Sequence, residues 1–291
     1  MDIRTIAVIG GGAMGNGIAQ VAATAGYDVI LRDISQAAID RATGTIRKSL
    51  ERLIKAGKLS EGDFQITFGR IRATTELADI AAADYVIEAI PEQMALKQDM
   101  FKQLDALCKP GVILATNTSE LSVTKIASAT GRADRVIGMH WFNPPPVMKL
   151  VEIVRGVQTS DETLRLTEEV SHKMGKETVV CKDAQGFITS RALCALLVEC
   201  YRIAEEGLAS FEDIDKAIRL GLNHPMGPLE LSDYVGMDVL VHASEGMVEA
   251  FGDRFRMPQS VIKQVEAGHY GRKSGRGFYD YAQKEAASLK G

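Results

Sequence analysis

Apolar positions in the first 140 residues fall into short dense runs, each followed by a stretch with helical spacing. Thr5–Ile9 is an apolar run that ends in glycines, and the small-residue segment Ile18–Ala25 reads as a helix stopped by Gly26. Further runs at Asp28–Leu31, near Arg70–Arg72 (the weakest), at Tyr85–Ala89, Val112–Ala115 and Val136–Met139 read as strands, with a helix from about Leu96 to Leu107. Strands alternating with helices predict a parallel sheet wound by right-handed crossovers. Residues 35–70 are too long for one crossover helix. Leu50, Leu53 and Ile54 keep helical spacing and Gly57 breaks it, so this stretch predicts a helical pair projecting from the sheet. The pattern changes near Asp183. From Gly186 onward no convincing strand is found, whereas Leu193, Leu196, Leu197, Cys200 and Ile203 recur at helical spacing. Ser210 with Asp213 resembles a helix-start capping box, Gly221 ends that helix, and Pro228 suits the first turn of the next. The expected layout is an α/β domain over residues 1–183, followed by an all-helical domain over 184–291.

Composition changes this picture little. The 291 residues are 46% hydrophobic and 25% charged, ordinary for a globular chain, with a formal charge of 34 − 38 = −4. A mildly acidic chain gives no reason to expect nucleic acid or a membrane surface as partner. Cys108, Cys181, Cys194 and Cys200 form no C-x-x-C pair, and none lies near a histidine at metal-ligand spacing. They read as buried thiols in a reducing compartment, and no metal is expected. No apolar run approaches the ~18 residues of a membrane span, and no leader pattern is seen. A cytoplasmic enzyme or binding protein is the default expectation.

Gly10-Gly11-Gly12-Ala13-Met14-Gly15 fits G-x-G-x-x-G between a strand and a helix, and Asp33 ends the next strand. Gly10 permits the tight turn, Gly12 lets the backbone approach a pyrophosphate, and Gly15 lets helix and strand pack closely. Asp33 is placed to accept hydrogen bonds from the adenosine ribose hydroxyls, which favours NAD over NADP; neighbouring Arg32 is the residue that argues the other way. A Rossmann-type dinucleotide-binding domain follows. Hydride chemistry also needs a group to take the hydroxyl proton. His140 follows the sixth strand, at the strand end where parallel sheets bind ligands. Histidine titrates near neutral pH, which suits this task. Glu152 is an acid inside the apolar run Leu150–Val154, costly unless paired. If that run returns beside the sixth strand, Glu152 reaches the far ring nitrogen of His140. Taken singly, these residues also fit a capped core histidine and an acid on an exposed edge. Ser119, after the fifth strand, is a candidate to hold a substrate oxygen, and equally a helix cap.

The stretches Ala115–Ser119, Met139–Pro146, Leu150–Val154, Asn223–Leu229 and Gly271–Tyr279 together resemble the 3-hydroxyacyl-CoA dehydrogenase family, in order and across nearly the whole chain. The length resembles its stand-alone members, which act on 3-hydroxybutyryl-CoA. The resemblance implies that Ser119 binds the substrate's 3-oxygen, that His140 is the acid–base, and that Glu152 is its partner. It implies that Glu92, Lys97, Ser119 and Asn143 lie near the nicotinamide and its ribose, that Lys273 is a C-terminal cofactor contact, and that the enzyme is a homodimer through its helical domain. The family's Gly-Phe-Val-x-Asn-Arg reads Gly186-Phe187-Ile188-Thr189-Ser190-Arg191 here, so Ser190 replaces a substrate-touching asparagine. Arg41, Lys48, Arg52 and Lys55 fall on one helix face, a basic stripe in an acidic chain. On charge alone the stripe fits a solvated face or a site for a phosphate-rich carrier. The resemblance implies the carrier is coenzyme A, with Ser49 and Arg52 as contacts and Lys55 close by.

Overall fold

The computed structural model describes residues 2–281. Its contacts divide the chain into two compact units, Met1–Phe187 and Ile188–Gly291. The first unit runs β1 (Thr5–Ile9), α1 (Ala13–Thr24), β2 (Asp28–Arg32), α2 (Gln36–Lys55), α3 (Glu61–Gly69), β3 (Ile71–Thr74), β4 (Tyr85–Glu88), α4 (Met94–Leu107), β5 (Ile113–Thr116), α5 (Val123–Ala127), β6 (Val136–Trp141), β7 (Leu150–Arg155), α6 (Asp161–Lys173) and β8 (Glu177–Lys182). The strands form one sheet in the order β3-β2-β1-β4-β5-β6-β7-β8. All neighbours are parallel except β6 and β7, so β7 and β8 run against the rest.

The elements form where local chemistry puts them. β1, β4, β5 and β6 are buried on both faces and are continuous apolar runs, as a helix-covered parallel sheet requires. Gly26 and Gly57, at φ +91° and +68°, end the first two helices in the left-handed region. α2 is capped by Ser35, whose side chain accepts from the Ala38 N–H, and it buries Ile39, Ala42, Ile46 and Leu50 as one stripe. Two cores result, one on each face of the sheet. Ile6, Val8, Met139 and Trp141 belong to the core that also holds α1 residues. Ala7, Ile9, Leu114, Val136 and Val154 belong to the core that holds α4 and α5. Each fully enclosed aliphatic side chain contributes roughly 1.5–3 kcal/mol.

The sequence pattern predicts β1 through β7 and the α2–α3 pair, but it misses α5, α6 and β8. β8 is an edge strand with Val179 and Val180 both exposed. It has one neighbour and no deeply buried face, so it lacks both signatures that mark a strand in sequence. α6 carried usable signals: Ser160 as cap, and Asp161 and Glu162 in the first turn.

The second unit is helical: α7 (Thr189–Glu205), α8 (Phe211–Gly221), α9 (Pro228–Val235), α10 (Met237–Phe251) and α11 (Gln259–Glu266). Its core gathers Leu197, Val198, Tyr201, Leu229, Met237 and Met247. Ser210 and Asp213 form the expected cap at 3.1 Å, and Pro228 opens α9. Two carboxylates explain the C-terminal signatures. Asp215 accepts from the Leu229 and Glu230 N–H groups at the start of α9 and from the Tyr279 hydroxyl. Buried Asp233 accepts from the Phe278 and Tyr279 N–H groups at 2.9 Å each. A Cβ on Gly277 would lie 1.9 Å from Asp233 Oδ1, so only glycine lets this loop close on the carboxylate.

Among the described residues no helix is long and apolar enough to cross a membrane, and no three metal-ligating side chains converge. The cysteines are free; Cys108, Cys194 and Cys200 are buried and Cys181 is half-buried.

Candidate active site

The glycine-rich turn lies where the strand order reverses, between β1 and β4, the switch point at which open α/β sheets bind ligands. Gly10 has φ +102°, and a Cβ there would meet the Ala89 carbonyl at 2.5 Å. At Gly15 a Cβ would lie 1.7 Å from the Gly10 carbonyl oxygen, so the helix can sit this close only with glycine. Gly12 is different: nothing lies within 4 Å of its missing Cβ, so its outer side is open to an approaching group. Gly12 caps α1 without a side-chain bond, and the first turn holds no acid. The helix therefore presents N–H donors and a positive dipole end with no protein anion to meet them. A cavity of about 550 Å³ opens here, lined by Gly11, Gly12, Asn16, Asp33, Ile34, Arg41 and Thr45 among others. Asp33 is held in place by the Gly11 and Ile34 N–H groups, both at 2.7 Å. Arg32 turns elsewhere, its Nε donating to the Thr75 carbonyl, and it does not line the cavity. These residues fit a dinucleotide with a free adenosine ribose.

The second feature lies at the C-terminal end of β6. Because β7 is antiparallel to β6, Glu152 stands directly opposite His140, with both side chains on the same sheet face. His140 Nδ1 is 2.7 Å from Glu152 Oε2. The side chains are 7% and 0% exposed. Phe142 and Phe187 pack on the imidazole at centroid distances of 4.6 and 5.8 Å. Among the described residues Nε2 has no partner, so the ring is held at one nitrogen and free at the other. The buried Glu152 charge also reaches across to β8: burial, then Glu152 and Asp183, push the Cys181 thiol up to about 11.

Ser119 is exposed, and its loop is tied down from below. Its N–H donates to Glu92 Oε1 at 2.8 Å, and the Thr118 hydroxyl donates to the same oxygen. Glu92 Oε2 lies 3.3 Å from the Lys97 ammonium. Lys97 is wholly enclosed and makes a closer pair, 2.6 Å, with equally enclosed Glu88. Burial pushes the Glu88 carboxyl up, opposed by Lys97, the Thr116 hydroxyl and the Ile90 N–H. Asn117 Oδ1 accepts from the Trp141 N–H at 3.0 Å and ties this loop to the end of β6. Asn143 is exposed, immediately beyond β6, before a cis bond to Pro144.

Sequence reasoning passed over Glu88, although the argument that singled out Glu152 applies to it: an acid ending the apolar run Tyr85–Ile87 must find a partner. On α2, Lys48, Arg52 and Lys55 are exposed on the side away from the buried stripe, and Ser49 is half-buried on the flank of that stripe. Arg41, the first residue of the basic series, instead lines the glycine-rich cavity. Ser190 and Lys273 belong to the second unit. Ser190 lies in the first turn of α7, and Lys273 pairs with Asp238 at 2.7 Å.

Residues 5–184 match the family model of the 3-hydroxyacyl-CoA dehydrogenase NAD binding domain, and residues 186–281 match that of its C-terminal domain. A probable 3-hydroxybutyryl-CoA dehydrogenase of Deinococcus radiodurans is 47% identical over 94% of this chain and 99% of its own length. The crystal structure of an (S)-3-hydroxybutyryl-CoA dehydrogenase from Ralstonia eutropha superposes with a TM-score of 0.94 at 46% identity, covering 96% of this chain and 99% of that one. A 3-hydroxyadipyl-CoA dehydrogenase of Escherichia coli is 42% identical over 98% of this chain, which spans 61% of that protein.

Proposed function

The chain belongs to the 3-hydroxyacyl-CoA dehydrogenase family, and from that membership we propose that it interconverts an L-3-hydroxyacyl-CoA, such as 3-hydroxybutyryl-CoA, and the 3-ketoacyl-CoA with NAD(H). The observation that carries the reading is the buried His140–Glu152 bond of 2.7 Å at the ligand end of the sheet. With Nδ1–H donated to Glu152, the neutral imidazole keeps a lone pair on Nε2. That atom removes the hydroxyl proton in oxidation and returns it in reduction, and Glu152 stabilises the imidazolium formed between. Ser119 holds the 3-oxygen, on a loop whose backbone is fixed by Glu92. Bound NAD supplies the hydride acceptor at its nicotinamide ring. Gly10, Gly12 and Gly15 would give its pyrophosphate access to the α1 N-terminus, and Asp33 would take its ribose hydroxyls. Glu92 would line the nicotinamide ribose, Ser119 and Asn143 would lie near the nicotinamide, and Lys97, with no exposed surface, would act through Glu92. Lys273 is a cofactor contact.

Ser49, Arg52 and Lys55 hold the phosphates of coenzyme A, the exposure of Arg52 and Lys55 on α2 being what such a carrier needs. Ser190, shorter than the family's asparagine, makes room for a bulkier or branched acyl group. The relative that acts on a 3-hydroxyadipyl thioester supports such latitude on a closely similar chain. The protein works as a homodimer through its helical domain, in the cytoplasm, in fatty acid metabolism.

The test is NADH oxidation against 3-ketoacyl-CoA substrates of increasing length, with wild type, His140→Ala and Ser190→Asn. His140→Ala loses ~10²–10⁴-fold in kcat and still binds NADH. A sharp four-carbon preference that Ser190→Asn leaves unchanged defeats the acyl-pocket reading. Turnover of free hydroxy acids in place of thioesters points to a non-CoA dehydrogenase, and cofactor binding without any turnover points to a non-catalytic NAD(H)-binding protein.

A further inference from the structure

Glu88 and Lys97 are both fully enclosed, side by side at 2.6 Å. Enclosing two full charges carries a desolvation cost that a matched apolar pair does not, so such a pair is weak evidence of a stabilising role. Its surroundings show what else it does. Glu88 Oε1 also accepts from the Ile90 N–H at 2.7 Å, and Oε2 accepts from the Thr116 hydroxyl at 2.6 Å. Both oxygens are thus engaged by groups at the ends of β4 and β5, and the carboxylate is rigidly seated. Lys97 sits between two carboxylates, near Glu88 at 2.6 Å and farther from Glu92 at 3.3 Å. Glu92 spends its other oxygen on the Thr118 hydroxyl and the Ser119 N–H. The same Thr118 oxygen accepts from the Leu121 N–H at 2.8 Å, so one chain of contacts runs from the sheet interior to the Ser119 loop.

We propose that Glu88 is a positioning residue of the dehydrogenase reaction: by holding the Lys97 ammonium on its own side, it leaves Glu92 free to hold the Ser119 backbone. The inference rests on the reading of Ser119 as the residue that binds the 3-oxygen. Without the Glu88 charge, the enclosed ammonium has Glu92 as its one remaining counter-ion. It draws that carboxylate inward, off Thr118 and Ser119, and the loop loses its support.

The experiment compares Glu88→Gln, the double variant Glu88→Gln with Lys97→Met, Thr116→Val and Ser119→Ala. Readouts are kcat with acetoacetyl-CoA and NADH, the NADH dissociation constant from protein fluorescence, and the unfolding temperature of the ligand-free enzyme. Glu88→Gln is expected to lower kcat by on the order of 10- to 100-fold, the scale of a small misplacement of a site group. The double variant, with no unbalanced ammonium, is expected to recover at least half of that loss on a logarithmic scale and to bind NADH better than the single variant. Thr116→Val, which loosens Glu88 without removing charge, is expected to lower kcat about two- to fivefold. A purely structural Glu88 lowers the unfolding temperature, leaves kcat per folded enzyme unchanged and gives no recovery in the double variant; that result overturns the proposal. If Glu88→Gln does not fold, unchanged kcat in Thr116→Val overturns it. If Ser119→Ala keeps full kcat, the assignment of Ser119 itself is wrong, which is a separate failure.

Discussion

Glu152→Gln changes one buried charge and almost nothing in shape. The carboxylate is fully enclosed and bonded to His140 Nδ1 at 2.7 Å. On the proposed mechanism, the imidazole becomes positive in oxidation as it accepts the hydroxyl proton, and the anion opposite stabilises that charge. Two unit charges roughly 4 Å apart at an effective dielectric of about 20 interact by about 4 kcal/mol, close to a factor of 10³ in rate. Part of this returns through the amide, whose oxygen can still accept from Nδ1–H. The expected loss in kcat is on the order of 10²–10³-fold, while NADH affinity by fluorescence stays within about threefold, because Glu152 does not line the dinucleotide cavity. A variant with kcat within fivefold of wild type in both directions would falsify the proton-relay reading, since no charge would then have been relieved in the transition state.

Other expectations follow from the same geometry. Arg52→Ala should raise KM for acetoacetyl-CoA by roughly three- to tenfold with kcat and KM for NADH nearly unchanged, as for lost uniform binding; an unchanged KM makes the α2 stripe mere solvated surface. Gly15→Ala places a methyl group 1.7 Å from the Gly10 carbonyl oxygen. It should therefore abolish NADH binding, measured by fluorescence beside circular dichroism, and an affinity within threefold of wild type contradicts the turn geometry. Burial, the first cause in each case, raises the Cys108 thiol and pushes Cys181, Cys194 and Cys200 up to about 11. At pH 8 a thiol titrating near 11 is roughly one part in a thousand thiolate. Native enzyme should thus take up iodoacetamide far more slowly than urea-unfolded enzyme, and comparable rates would show that the thiols are not enclosed.

The parts of the fold that were legible in the sequence are those whose burial is extreme. β1, β4, β5 and β6 are enclosed on both faces, so they appear as unbroken apolar runs. β8, with a single neighbour and exposed valines, has no such contrast and was not readable. Glu152 was legible because an acid within an apolar strand demands a partner, and one reversal of direction provides His140. Glu88 obeys the same logic, but at the end of its strand it resembles an ordinary surface acid, and its partner Lys97 reads as one more polar residue on a helix. Which way Arg41 faces depends on how α2 rolls against Gly11, where a Cβ would meet Ala42 at 3.0 Å, and no spacing along α2 carries that information. Ser190 and Lys273 have no physical signature of their own, since a serine in a first helical turn and an ion-paired surface lysine are common. Only the likeness of whole motifs drew attention to them.

The site's chemistry is local along the chain, even though its setting is not. His140 and Glu152 are 12 residues apart, and Glu88 and Lys97 are 9 apart. Each pair needs only one turn of structure, a hairpin in the first case and a strand-to-helix turn in the second. The sheet order supplies the rest. Register pairs Glu88 with Thr116 and Thr116 with Gly138, two residues before His140, so Glu88, Thr116, His140 and Glu152 all project from the same face near the strand ends. Between the Ser119 loop and the imidazole strand, the side-chain tie is Asn117 to the Trp141 N–H. The start of the Ser119 loop is therefore placed relative to the imidazole strand by the backbone ladder between β5 and β6. A backbone ladder has one register. The side chains beneath it, Glu88 and Lys97 among them, have rotamers to choose from, so the polar contacts are concentrated below the Ser119 loop, where the backbone alone leaves the geometry open.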